Sequence, residues 1–144
     1  MTTIRQILET KGREIWSVSP GTSVYDAIKL MAAKNVGALV VLEGDQMRGI
    51  VSERDYARKV ILKGKSSKET PVKEIMSIDV VTIRPEQSID ECMALMTSKR
   101  IRHLPVLEGN KIAGMISIGD VVKTIISEQE FTIKQLENYI TGGR

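Results

Sequence analysis

The chain runs through the same succession of hydrophobic rhythms twice. After Ser23, and again after Ser88, apolar residues recur three and four positions apart: Val24, Ala27, Ile28 and Met31 in one stretch, Ile89, Cys92, Met93 and Met96 in the other. That spacing predicts a helix with one core-facing stripe, and Ser23-Val-Tyr-Asp26 and Ser88-Ile-Asp-Glu91 have capping-box spacing at its start. Short apolar runs follow, Ala38 to Leu42 and Leu104 to Leu107, then Glu-Gly-Asp or Glu-Gly-Asn, then Gly49-Ile50-Val51 or Gly114-Met115-Ile116. Two short apolar runs around a Gly-containing turn predict a hairpin. Ser52-Glu-Arg-Asp55 and Ser117-Ile-Gly-Asp120 open a second helix in each copy, predicted to end near Leu62 and Ser127.

The two patterns are copies of one unit. Residues 15–61 align without a gap on residues 80–126 at a constant offset of 65, as Pro20 against Pro85 shows. Leu30-Met31 matches Leu95-Met96, Val41-Leu-Glu-Gly44 matches Val106-Leu-Glu-Gly109, and Ser52 and Asp55 match Ser117 and Asp120. A duplicated unit predicts pseudo-two-fold packing, each half covering the apolar face of the other. Ile4-Arg-Gln-Ile7-Leu8 faintly resembles Val72-Lys-Glu-Ile75-Met76, so each repeat is given a short opening helix. The domains read as 1–62 for repeat one with its N-terminal helix, 63–71 for a polar linker, 72–127 for repeat two, and 128–144 for a C-terminal helix and tail. In that tail Phe131, Ile133, Leu136, Tyr139 and Ile140 have roughly helical spacing up to Thr-Gly-Gly, and they could pack on the chain's own domain or on a partner subunit.

Composition narrows the function. A chain of 144 residues buries enough surface to fold without staples, and its single cysteine cannot pair internally. No apolar run is long enough to cross a membrane, and the N-terminus lacks the apolar core of a secretory signal, so the expectation is a soluble, cytoplasmic protein. The net charge of +3 is mild, and aromatics make up 3% of the chain, which disfavours nucleic acid as a partner. One His, one Cys and no metal-ligand spacing give no metal site, and the glycines form neither a P-loop nor a Gly-x-Gly-x-x-Gly turn.

The ordered motifs resemble the CBS (cystathionine β-synthase) domain, whose tandem pair is called a Bateman module. Thr82-Ile-Arg-Pro85, Leu95-Met96, Ile101-Arg-His-Leu-Pro-Val106 and Gly114-Met-Ile-Ser117-Ile-Gly-Asp120 carry the resemblance in the second copy. Ser17-Val-Ser-Pro20, Leu30-Met31, Val36-Gly-Ala-Leu-Val-Val41 and Gly49-Ile-Val-Ser52-Glu-Arg-Asp55 carry it in the first. The resemblance implies an α+β fold, a tandem CBS pair with β-α-β-β-α units and two clefts related by a pseudo-two-fold axis. It also implies an adenosyl ligand, with AMP or NAD(H) first and ATP, ADP or S-adenosylmethionine as further possibilities, and a homodimer.

Candidate site residues follow from chemistry and resemblance together. The carboxylates of Asp55 and Asp120 can accept hydrogen bonds from both hydroxyls of a ribose, although Ser-x-x-Asp before a helix is equally a capping signal. Ser52 and Ser117 can serve either role. Arg102 and His103, just before Leu104 and Pro105, suggest a phosphate clamp at a strand entrance; a solvated surface pair is the plain alternative. Repeat one has Gly37 and Ala38 there, so one cleft is expected to be charged and the other lined by small residues. Arg54 could reach phosphate from the rim, whereas Arg58 and Lys59 read as a solvated helix face. Ser17-Val18 and Thr82-Ile83 either meet adenine and ribose or are plain edge strands. Cys92 lies on a core stripe, which argues against a redox role.

The reading is a non-catalytic regulatory module, binding its nucleotide between the repeats and read by an unidentified effector protein. A purely structural interaction module with vacant clefts is the first alternative. An enzyme acting on a nucleotide is the second, disfavoured because no base and nucleophile recur at a plausible spacing.

Overall fold

The computed structural model describes residues 2–141. Repeat one comprises β1 (Ser17–Val18), α2 (Val24–Lys34), β2 (Ala38–Glu43), β3 (Gln46–Ser52) and α3 (Glu53–Tyr56), which continues as one wide π turn over Ala57–Ile61; α1 (Ile4–Lys11) precedes it. Repeat two comprises α4 (Ile89–Lys99), β4 (His103–Glu108), β5 (Lys111–Ser117) and α5 (Ile118–Ile140). The two hairpins have matching registers, Ala38 opposite Ser52 and His103 opposite Ser117, and each shifts register at one step, Val41/Leu42 and Val106/Leu107. Gly44 and Gly109 take positive φ at the first position of each two-residue turn, a conformation that glycine adopts at little cost. β1 runs parallel to β2, while in repeat two the corresponding strand shrinks to a single parallel bridge, Ile83 to Val106.

The predicted stripes form the cores. Val24, Ala27 and Met31 are buried in one, and Ile89, Cys92 and Met96 in the other; Met93, expected on the stripe, faces outward instead. Ser88 and Glu91 complete a reciprocal capping box, whereas Ser23 only accepts the Asp26 amide. Asn35 and Arg100, equivalent under the offset, both end their helices in the left-handed conformation.

The opening segments pack across the repeats, on the core opposite to the one their sequence position suggests. Ile4, Ile7 and Leu8 of α1 lie in the core of repeat two with Ile83, Cys92 and Leu104. Val72 and Ile75, from the 3-10 turn that replaces the expected second opening helix, lie in the core of repeat one with Val24, Leu39 and Val60. Backbone pairing secures both crossings: Ile4 N donates to Gln87 O at 2.9 Å, and Val72 N to Thr22 O at 2.8 Å. Burying three aliphatic side chains of α1 contributes about 5–9 kcal/mol of gross apolar transfer to a core outside its own repeat. The polar linker is also held in place, because Thr70 O and Ser67 O accept the otherwise unpaired amides of Val24 and Tyr25 at the start of α2.

Two equivalent glycines make room for the crossings. A methyl at Gly49 would stand 2.6 Å from the Ser77 carbonyl oxygen, and one at Gly114 would stand 2.6 Å from Leu8 Cδ2.

The second helix of repeat two does not stop near Ser127. α5 continues for 23 residues to Ile140, so Phe131, Ile133, Leu136 and Tyr139 extend the same helix. No helix among the described residues is long and apolar enough to cross a membrane. The Gly142-Gly143 stop and the end of the 128–144 segment lie outside the described residues.

Candidate functional site

Each hairpin ends in a serine that caps the next helix, and this places an aspartate at the mouth of a cleft. Ser52 N and Oγ donate to Asp55 Oδ2 at 2.9 and 3.1 Å, and Ser117 N and Oγ donate to Asp120 Oδ2 at 2.8 and 3.0 Å. The capping reading is thus realised in both copies, and it occupies one oxygen of each carboxylate. Lys59 Nζ lies 3.2 Å from Asp55 Oδ1, whereas Lys11 Nζ joins Ser117 on Asp120 Oδ2 at 2.6 Å. Asp120 Oδ1 therefore has no hydrogen-bond partner among the described residues.

Two of the cavities that these carboxylates line lie between the repeats. The first, about 230 Å³, brings Ser52, Arg54 and Asp55 together with Gly37, Ala38, Arg102 and His103, with Ile50, Ser77 and Ile101 completing its wall. The second, about 630 Å³, brings Ser117 and Asp120 together with Trp16, Val36, Gly37, Ala38, Arg102 and His103, with Lys11 and Gly12 at its edge. Under the offset of 65 they are counterparts, Ser77 against Gly12 and Ile50 against Met115. The expected division into one charged and one small-lined cleft is corrected here. β2 and β4 both begin beside the pseudo-two-fold axis, so Gly37-Ala38 and Arg102-His103 line both cavities.

Electrostatics separates the side chains further. Arg102 is exposed and makes no side-chain hydrogen bond or ion pair among the described residues, which leaves its guanidinium free for an anion. Arg54 Nη1 donates to the Arg100 carbonyl at 3.1 Å, across the join between the repeats. Burial, reinforced by Lys11, Arg102 and Arg54 and opposed by Asp120, holds the His103 pKa below its ordinary value, so the imidazole is neutral at pH 7. For Asp120, burial pushes upward but is outweighed by hydrogen bonds from Lys11 and Ser117, and the carboxyl stays below its ordinary value. Burial, with Asp120 nearby, pushes the Cys92 thiol up to about 11, the condition of an unreactive core cysteine.

The remaining sequence candidates line neither cavity. Ile83 and Leu104 are core residues, and Pro105 is buried in β4 with its carbonyl accepting from Ile83 N at 3.0 Å. Ser17 and Val18 form the outer strand β1, and Thr82 immediately precedes the Ile83 bridge that stands in its place in repeat two. The family model for the CBS domain matches residues 4–62 and 72–127.

The chain belongs to the CBS-domain family. It is 43% identical over 152 residues to the CBS domain-containing protein CBSX3, mitochondrial, of Arabidopsis thaliana, covering 99% of this chain and 73% of that protein. A solved CBS-domain protein from Burkholderia ambifaria is 58% identical with a TM-score of 0.86, covering 89% of this chain and 96% of that one. The CBS domain pair of protein MJ0100, solved with 5'-methylthioadenosine and S-adenosyl-L-methionine, shares the fold at 20% identity and a TM-score of 0.80, over 89% of this chain and 98% of that one.

In this CBS pair the sequence motifs locate both aspartates, the two serines, Arg102 and His103 in the cavity walls, but they miss Trp16, Glu53, Lys11 and Ser77. Trp16 carried a signal, as the only tryptophan of an aromatic-poor chain; Lys34 Nζ sits 4.4 Å from its ring centroid. Lys11 and Ser77 carried none, because they reach the clefts only through the crossed segments.

Proposed function

We propose that this CBS pair is a non-catalytic sensor that binds an adenine nucleotide in its second cleft. The observation that supports this most is the convergence there of a carboxylate with one unpartnered oxygen, an indole and a free guanidinium around about 630 Å³. Small-molecule sites run from roughly 300 to 1,000 Å³, a range that this cleft enters and the first, at about 230 Å³, does not. Asp120 Oδ1 accepts the ribose hydroxyls, Trp16 offers an apolar face to the base, and Arg102 with His103 receives the phosphate. AMP and NAD(H) suit a clamp of this charge; ATP, ADP and S-adenosylmethionine share the adenosyl group that the remainder of the cleft would hold.

A regulatory role rather than catalysis fits the side chains. His103 and Asp120 share the cleft, but His103 makes no side-chain hydrogen bond to a nucleophile among the described residues. The exposed side of α5 supports a homodimer. Val122, Ile126, Ile133, Leu136 and Ile140 lie on it, all about half exposed or more, with Gln129 between the second and third. Their spacing alternates four and three residues, the repeat of a coiled-coil seam, with Ile126, Ile133 and Ile140 at one core position and Val122, Gln129 and Leu136 at the other. In this reading the dimer, in a reducing compartment such as the cytoplasm, presents the nucleotide state to an effector protein.

Thermal unfolding with AMP, NAD⁺, NADH, ATP and S-adenosylmethionine tests the ligand. A true ligand at 100 times its Kd adds about 2.7 kcal/mol of stability. Asp120→Ala should cut that gain sharply, leaving only the weaker binding of the first cleft. No shift with any of the five, or a full shift in Asp120→Ala, would overturn the assignment.

A further inference from the structure

The pseudo-two-fold axis duplicates the carboxylate but not the cations. Each cleft has its own Ser-x-x-Asp, yet the positions equivalent to Arg102 and His103 hold Gly37 and Ala38. Packing explains why a second pair does not fit. A methyl at Gly37 would stand 3.3 Å from His103 Cε1 and Nε2 and 3.0 Å from Glu53 Oε1, so the single imidazole already fills the space beside the axis.

Both clefts therefore open onto one wall, formed by Gly37, Ala38, Glu53, Arg102 and His103. Outside it each cleft has one cation of its own, Arg54 for the first and Lys11 for the second. Both of these cations act on the His103 imidazole, which places it between the two clefts electrostatically as well as sterically. Lys11 is already ion-paired with Asp120, and Glu53 adds a carboxylate to the same wall as Arg102.

We propose that the two clefts compete for this one clamp, so that a chain holds one phosphate-bearing adenine nucleotide at a time, in the second cleft when both are intact. The proposal rests on the nucleotide reading above and adds its stoichiometry. A phosphomonoester carries a charge of about −1.5 to −2 at pH 7. Two of them drawn to the same guanidinium lie within about 7 Å of each other, and even water-like screening then weakens the second by about tenfold or more. The larger cleft fills first because the smaller must widen to admit a nucleoside.

Isothermal titration of the full chain with AMP tests this. The expected result is a single equivalent per chain, with any second equivalent at least about tenfold weaker. Asp55→Asn should leave that first equivalent unchanged. Asp120→Asn, checked for intact folding by denaturant unfolding, should move binding to the first cleft at lower affinity, still with one equivalent. Two equivalents of equal affinity in the unmodified chain would overturn the shared clamp while leaving the nucleotide reading intact. No AMP binding, with none of the other four nucleotides binding either, would overturn both.

Discussion

Gly49→Ala tests whether the crossing segment at Met76 and Ser77 determines stability as the geometry requires. The added methyl would lie 2.6 Å from the Ser77 carbonyl oxygen and 2.9 Å from Met76 Sδ, well inside the 3.4 Å at which ordinary contact begins. Met76 can rotate away, but Ser77 O cannot move freely. It accepts from Ile50 N at 3.1 Å, and Ser77 N donates to Ile50 O at 2.9 Å, which pins the crossing strand against β3. Relieving the clash by moving Ser77 sacrifices that pair, about 1 kcal/mol for each bond. Overpacking that is not relieved adds about 1–3 kcal/mol, and the reduced freedom of alanine in the unfolded chain returns about 0.4–1 kcal/mol. The net loss is about 2–4 kcal/mol, read as a lower midpoint in urea at unchanged slope. Gly114→Ala is the matched control. Its methyl meets only the tip of Leu8 at 2.6 Å, and a side chain yields more cheaply than backbone, so the loss there should be smaller. A Gly49→Ala variant within 0.5 kcal/mol of the parent, the scatter typical of surface changes, would refute this reasoning, as would a Gly114→Ala variant that proved the more damaging.

Three further outcomes follow from the site and from α5. Because burial holds His103 below its ordinary pKa, the unfolded chain binds the extra proton first, so stability should fall as pH drops below about 6.5 and level off once the folded imidazole is also charged. A nearby phosphate favours that same proton, so AMP affinity relative to adenosine should rise as pH falls from 7.5 toward 6, an effect that His103→Gln should remove and that calorimetry across the range would show. Ile133→Asp with Leu136→Asp places charges on residues 55% and 57% exposed; it should convert dimer to monomer in sedimentation velocity with the helical circular dichroism of the folded chain retained, and an unchanged sedimentation coefficient would refute the seam.

Local signals made the hairpins and the first helix of each repeat legible, because a Gly turn and a period near 3.6 specify these elements without reference to the rest of the chain. The sequence could not say which core each opening segment would join. Ile4, Ile7 and Leu8 announce one apolar face, and two homologous cores offer it similar partners. The choice is visible only in tertiary features such as the room that Gly114 leaves for Leu8. The same ambiguity hid the shared wall. Reading Arg102-His103 as the property of one cleft assumes that each repeat lines its own, whereas strands that start beside a pseudo-two-fold axis face both. Asp55 and Asp120 posed a different difficulty, since capping and ligand binding call for the same residue at the same place, and the structure shows that capping occupies only one carboxylate oxygen.

The crossing also bears on how a bound nucleotide could be sensed. Lys11, at the end of the segment that crosses into repeat two, and Asp120, in the first turn of α5, are joined by one ion pair at the edge of the second cleft. A ribose that engages Asp120 and a phosphate that attracts Lys11 both act on that pair, so the ligand bears on α1 and α5 at once. A ligand shifts an equilibrium only by its difference in affinity for two states, and a state in which the Lys11–Asp120 pair is released would differ in how α5 is seated. From Asp120 to Ile140 the helix extends about 30 Å, so a tilt of about 5° at the cleft moves the far end by about 2.6 Å. That displacement is comparable to the depth of one side-chain contact in a helical seam. The stripe around Ile133 and Leu136 is therefore the surface on which occupancy of the cleft should be most readable, and in the tilted and untilted states a partner there would meet different registers of the same side chains.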